Sequence, residues 1–146
     1  MRHFTAIWIA AVLLSGCARA QAPSTMPLAA PVPASTSRPM AAIDDTEPDV
    51  TQQVALLLVQ AGANALPQDR LTDNASAALG VAQMQQMSAA LRQCGNRPAL
   101  QLLARTTKGE DRNYLYRALC STKPLLVEIN FNKAARISHL AVRPEP

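Results

Sequence analysis

The sequence predicts an α+β fold in which N-terminal helices pack on a four-stranded antiparallel sheet. Three observations lead there. Between Asp49 and Gly95 the apolar residues recur three and four positions apart, the spacing of one helix face. After Pro98 the spacing becomes two, in short runs separated by turn residues. The helical pattern precedes the strand pattern and does not alternate with it, which argues against a βαβ arrangement.

The elements follow in order. Asp49 is placed to cap a first helix, with Gln52 three residues on as a variant of the capping box. Val54, Leu57, Leu58 and Ala61 form its apolar face, and Gly62 or Asn64 can end it. Leu66-Pro67 opens a second short helical piece, and Asn74 to Leu79 forms another turn. Beyond Gly80, Met84, Met87 and Leu91 mark a further helix that stops at Gly95. A methionine stripe at this spacing fills a core more often than it lines a ligand box. Leu100 to Thr107 is a first strand, and Lys108 to Asp111 a turn. Asn113 to Cys120 is a second strand, with Tyr114, Tyr116, Ala118 and Cys120 on one face and Leu115, Arg117 and Leu119 on the other. A turn at Ser121 to Pro124 precedes a third, in which Leu125, Val127, Ile129 and Phe131 alternate with Leu126, Glu128 and Asn130. Asn132-Lys133 turns the chain into a last strand over Ile137 to Val142.

Ahead of this domain lie two stretches of different composition. Met1-Arg2-His3 leads an eleven-residue apolar run, Phe4 to Leu14, followed by Ser15-Gly16-Cys17. A basic start, a short apolar run and small residues before a cut form an export signal, and the run is too short to span about 30 Å of hydrocarbon. Leu14-Ser15-Gly16-Cys17 resembles the lipobox of bacterial lipoproteins. The resemblance implies that residues 1–16 are cleaved and that Cys17 becomes diacylated and then N-acylated, palmitate-type chains anchoring the protein. Ala18 follows the cysteine where Asp would favour inner-membrane retention, so the expected address is the outer membrane, facing the periplasm, with the inner membrane as the other possibility. From Ala18 to Ile43, 18 of 26 residues are Ala, Pro, Ser or Thr. Five prolines and few large apolar side chains make this stretch a tether. The domain boundaries are thus 1–16 for the signal, 17–48 for the lipidated cysteine and tether, and 49–144 for the folded domain. Residues 18 to about 46 are expected to bury nothing. The collar of Asp44, Asp45, Glu47 and Asp49 is expected to be a solvated cluster and not a metal site.

The order of packing motifs is also informative. Leu91-Arg92-Gln93-Cys94-Gly95 ends a helix, Tyr114-Leu115-Tyr116 marks a strand, Leu125 to Phe131 alternates, and Arg136-Ile137-Ser138-His139-Leu140-Ala141-Val142-Arg143-Pro144 closes the chain. Leu57 to Pro144 resembles the small NTF2-like, or cystatin-like, domain of unknown function found in bacterial secreted proteins. The resemblance implies a curved sheet wrapped around the helices as a cone whose concave face can offer a pocket. It carries no catalytic residue.

With Cys17 assigned to the anchor, Cys94 and Cys120 remain. An even pair in an oxidising compartment predicts a disulfide, and two buried free thiols are the alternative. In the resembled fold this helix end and strand end can be neighbours. No Gly-x-Ser-x-Gly frames a nucleophile, and His139 is the only histidine outside the signal. Ser138 and His139, adjacent on a strand, should point to opposite faces, and Glu128 is a lone carboxylate. Catalytic, cofactor-binding and metal-ligating residues are therefore expected to be none, and the protein is expected not to be an enzyme. From Val50 onward, 11 Lys and Arg stand against 6 Asp and Glu, a net of +5. Arg97, Arg105, Lys108, Arg112, Arg117 and Lys123 gather in the strand region, either to meet an anionic surface or as scattered solubilising charge. Nucleic acid is not an expected partner, since only Tyr114, Tyr116 and Phe131 offer stacking surfaces. The expected role is that of a lipid-anchored, periplasm-facing binding or accessory module with a protein partner in the cell envelope. The alternative is an inhibitor or immunity lipoprotein acting on a toxic periplasmic enzyme. Oligomeric state is not legible in the sequence.

Overall fold

A computed structural model describes residues 40–146; the expected signal segment, Cys17 and most of the expected tether lie outside the described residues. Helices α1 (Pro48–Gly62), α2 (Asp73–Ala78) and α3 (Val81–Arg92), with a 3-10 turn at Gln68–Arg70 between the first two, precede four strands. These are β1 (Ala99–Lys108), β2 (Asp111–Leu119), β3 (Leu125–Phe131) and β4 (Ile137–Pro144), joined as an antiparallel meander in the order β1-β2-β3-β4. The class is α+β, helices packed against a four-stranded antiparallel sheet.

Helix α1 buries Val54, Ala55, Leu57, Leu58 and Ala61, the face its spacing marks. Its start differs from expectation. Pro48 occupies the first turn and Glu47 the cap position, and Asp49 lies inside the first turn. Proline suits that position because its fixed φ is helical and its missing N–H would have had no partner. The Glu47 carbonyl accepts from Val50 and Thr51, at 3.0 and 3.2 Å, while its carboxylate turns to the sheet. Helix α2 begins one residue earlier than Asn74, because Thr72 caps it by accepting from Ala75 N–H at 3.2 Å. In α3, Met87 and Leu91 are buried core side chains, and Met84 is half-buried, packed against the core on one side and open to a surface groove on the other. Gly95 ends this segment with φ +75°, where a side chain would be strained. Ser88, which the apolar pattern passes over, is wholly buried, and its hydroxyl donates to Gly62 O at 2.7 Å. That bond ties α3 to the end of α1.

One face of the sheet, here the inner face, packs on the helices. Leu102, Tyr114, Tyr116, Ala118, Val127, Ile129 and Phe131 are buried there with α1 and α3. The tyrosine strand has the predicted facing. Core side chains fill the space against this face.

Two bulges break the period of two. In the β1–β2 register Leu102 pairs with Tyr116 but Ala104 pairs with Leu115, which leaves Leu103 as the extra residue. Strict alternation would put Arg105 on the outer face. The bulge shifts the phase by one and brings Arg105 opposite Tyr114, on the inner face. In β4, Ile137 pairs with Phe131 and His139 with Asn130, so Ser138 is extra. Ser138 and His139 therefore both fall between inner-facing Ile137 and Leu140, on the outer side. The expected opposition of their side chains fails for that reason. Ser138 Oγ donates to Asn130 O at 3.3 Å. The turn before β4 is held by Asn132, whose Oδ1 accepts from Arg136 N–H at 2.9 Å, with Ala135 in the left-handed region at φ 56°.

Each sheet edge is covered at one point. Thr72 N–H donates to Ile137 O at 2.9 Å beside a parallel bridge from Leu71 to Ile137. On the other edge, Ile43 N–H donates to Leu102 O at 2.8 Å. Edge carbonyls left open would template pairing with another chain. Residues 40–46 are exposed, Asp44 and Asp45 of the collar among them, as is Asp49. The segment is not free, since it is hydrogen-bonded to the sheet, and half-buried Glu47 departs from the solvated collar. Arg117 Nη2, on the outer face, donates to Met40 O at 2.8 Å. Ile43 crosses the β1 edge at the bulge, and Glu47 reaches inner-face Tyr114 at 2.7 Å. The segment is a strap that passes from the outer to the inner face around β1.

Candidate functional site: a neutral groove and a self-paired polar cluster

The densest polar cluster lies where the strap meets the inner face. Tyr114 OH donates to Glu47 Oε2 at 2.7 Å, and Arg105 Nε stands 3.1 Å from the same oxygen. Arg105 Nη1 donates to Thr46 Oγ1 at 2.9 Å, and Thr51 Oγ1 donates to Tyr116 OH at 3.1 Å. The Tyr114 and Tyr116 rings stack with centroids 6.0 Å apart, and Phe131 meets Tyr114 edge-on. Burial pushes the Tyr116 phenol up to about 12, against the opposing effect of the Thr51 hydrogen bond. Burial, then the bond to the Glu47 carboxylate, raises Tyr114 as well. Both phenols are thus held protonated, and the one carboxylate already has a phenol and a guanidinium on it. Such an arrangement fastens α1 and the strap to the sheet. It offers no poised base.

A second cluster clasps the outer face. The Arg117 guanidinium embraces the Glu145 carboxylate through Nε and Nη2, with Nε–Oε distances of 2.9 and 2.7 Å, while Nη2 also reaches Met40 O. Hydrogen bonding from Arg117 holds the Glu145 carboxyl below the usual carboxylate range. Of the six cations expected to gather in the strand region, Arg105 and Arg117 are thus neutralised internally. Among the described residues no group of three His, Cys, Asp or Glu is placed to hold a metal ion.

Cys94 and Cys120 form a disulfide pair with Cα atoms 4.0 Å apart. It joins the turn after α3 to the end of β2. Cys94 is buried and Cys120 packs against the core. The bridge is a fold-holding element, and Cys17 lies outside the described residues.

A further concavity is on the helical side. A groove of about 510 Å³ runs between the loop after α1, the 3-10 turn, α2 and the start of α3. Leu66, Leu79, Val81 and Met84 supply its apolar surface, and Asn64, Gln68, Ser76 and Gln85 its polar groups. Ser76 Oγ donates to Gln68 Oε1 at 2.8 Å, which orients that amide along the groove wall. Val81 is 77% exposed at the rim. The lining carries no charged side chain although the domain is cationic. Amides and hydroxyls beside aliphatic surface suit an uncharged segment with its own peptide groups. Sequence reasoning missed this site because its residues come from three helical pieces and a loop, at no fixed spacing. Met84, whose stripe the spacing assigns to the core, is one of the lining residues.

Among the described residues no helix is long and apolar enough to cross a membrane. No protein-family model matches the chain, and neither the curated proteins nor the solved structures contain a match to it.

Proposed function

We propose that this protein is a lipid-anchored, periplasm-facing binding module of the cell envelope, held at the outer membrane through Cys17. The observation that carries the reading is Leu14-Ser15-Gly16-Cys17 behind an eleven-residue apolar run and a basic start. The Cys94–Cys120 pair supports it, because bridges persist in oxidising compartments. Helices on one face of a four-stranded meander are compatible with an NTF2-like or cystatin-like arrangement, and the proposal keeps that architecture. The work of the domain is to hold an uncharged segment of a protein partner in the groove between Leu66, Gln68, Val81 and Met84.

Two measurements test this. Cys17→Ala should abolish lipid labelling and release the protein from the membrane fraction; a variant that still fractionates with the outer membrane overturns the anchor. Val81→Glu with Gln68→Glu places charge in a neutral groove and should remove a specific cross-linked partner in whole cells while leaving the protein anchored. A partner that cross-links equally to this variant binds elsewhere.

A further inference from the structure

Helix α1 carries apolar side chains on its outer side as well as on its inner face, and its fifteen residues include one charge, Asp49. Its inner face is covered, but Leu56 is 51% and Val59 37% exposed, with Gln52, Gln60 and Ala63 exposed beside them. We propose that this ridge is the interface of a two-fold dimer in which α1 packs antiparallel on α1 of a second copy.

The identity of the occupant follows from the pattern. Leu56 lies one position from the midpoint, Ala55, of a helix about 22 Å long. A two-fold axis through Leu56 sets Val59 against the half-buried Gln53, and exposed Gln60 and Ala63 against exposed Gln52 and Asp49. Leucine then meets leucine at the axis, and glutamines meet across it, where their amides both donate and accept. The ends are complementary in charge. Beside Val59 and Ala63 a groove of about 290 Å³ is walled by Arg92, and beside Leu56 and Gln60 one of about 160 Å³ is walled by Arg70. Among the described residues neither Asp49 nor Arg92 is in a salt bridge. Antiparallel packing brings Asp49 of one copy to Arg92 of the other, twice. The last turn of α1 also carries no basic residue, so its partial negative charge meets the partial positive N-terminus of the second helix. An isologous contact of this kind is self-closing and stops at two copies. One helix ridge and its flanking grooves make a small interface, so the association is weak and reversible.

The test is sedimentation of the full chain carrying Cys17→Ser, which removes the lipid but not the domain. The expected result is a monomer–dimer equilibrium in the micromolar range that Leu56→Lys weakens by about tenfold or more. Asp49→Arg or Arg92→Asp alone should weaken it, and the two together should restore it. With Leu56→Cys, a thiol on the axis, the oxidised chain should cross-link to a dimer far faster than with Ala77→Cys on α2. A monomer throughout the concentration range, a dimer indifferent to Leu56→Lys, or a charge exchange that fails to restore association overturns the inference. So does a monomer that binds phosphatidylglycerol vesicles through Leu56 and Val59, which assigns the ridge to lipid. None of these outcomes depends on whether Cys17 is acylated.

Discussion

Two buried residues carry measurable signatures. Tyr114 and Tyr116 are the only tyrosines, so absorbance near 295 nm follows these two phenols alone. The Tyr116 phenol, pushed up to about 12 by burial, should ionise well after a free tyrosine. The sign is that of a raised acid: the folded chain keeps a proton that the unfolded chain releases at about 10. The stabilisation is therefore complete below pH 10 and is lost as pH rises from there toward 12. Melting curves from pH 8 to 11.5 should show a decline that begins near pH 10 and lessens in Tyr116→Phe. Ser88 is a second case. Its hydroxyl, on a residue that is 0% exposed, is the partner of Gly62 O. Ser88→Ala removes the donor from the Gly62 carbonyl, at a cost of about 1 kcal/mol. Equilibrium denaturation measures it, and a loss below a few tenths would mean that Gly62 O finds another donor.

Among the elements, the strap from Met40 to Glu47 has the most consequence for its length. It makes three kinds of contact with the sheet: Arg117 to Met40 O, Ile43 to the Leu102 carbonyl, and Glu47 to Tyr114 and Arg105. A chain beginning at Pro48 loses all three. It leaves the buried Tyr114 hydroxyl without its carboxylate and the β1 edge open at the bulge. We expect it to be about 2–3 kcal/mol less stable than the full chain, with a greater tendency to aggregate. A chain beginning at Pro48 that melts with the full protein would show that the strap contacts contribute nothing. The bulge at Leu103 makes this possible, because only its change of phase brings Arg105 to the face where Glu47 arrives.

In the molecule as a whole, the disulfide and the core act on the same weakness. About a hundred described residues bury one modest core between three short helices and one sheet, a size at which covalent staples matter. The bridge spans 26 positions, from the turn after α3 to the end of β2, and so joins the helical layer to the sheet. Cys94→Ser with Cys120→Ser should lower stability by about 2–4 kcal/mol, and a reducing agent should do nothing further to that variant. Mass spectrometry of unreduced protein should find neither thiol alkylatable. Two free thiols in exported protein would remove the bridge and one support for the proposed compartment.

What the sequence determined is what repeats locally. Val54, Leu57, Leu58 and Ala61 recur at helical spacing and form the buried face of α1. Leu125, Val127, Ile129 and Phe131 alternate and all face the core, because side-chain direction in a strand has a period of two. The even pair Cys94 and Cys120 is legible as a matter of residue type and number. The tertiary structure alone decided the rest. Asp49 has the chemistry of a cap, yet Pro48 took the first turn and the Glu47 side chain went to a tyrosine 67 positions away. Ser88 breaks an apolar stripe and is buried nonetheless, because a carbonyl 26 positions away needs its proton. The phase of β1 changes at Leu103 with no glycine or proline to announce it, and the groove at Val81 gathers residues from four segments. Periodicity records how each residue faces along its own segment. Hydrogen-bond partners, bulges and grooves depend on which segments meet, and that is settled only when the chain closes on itself.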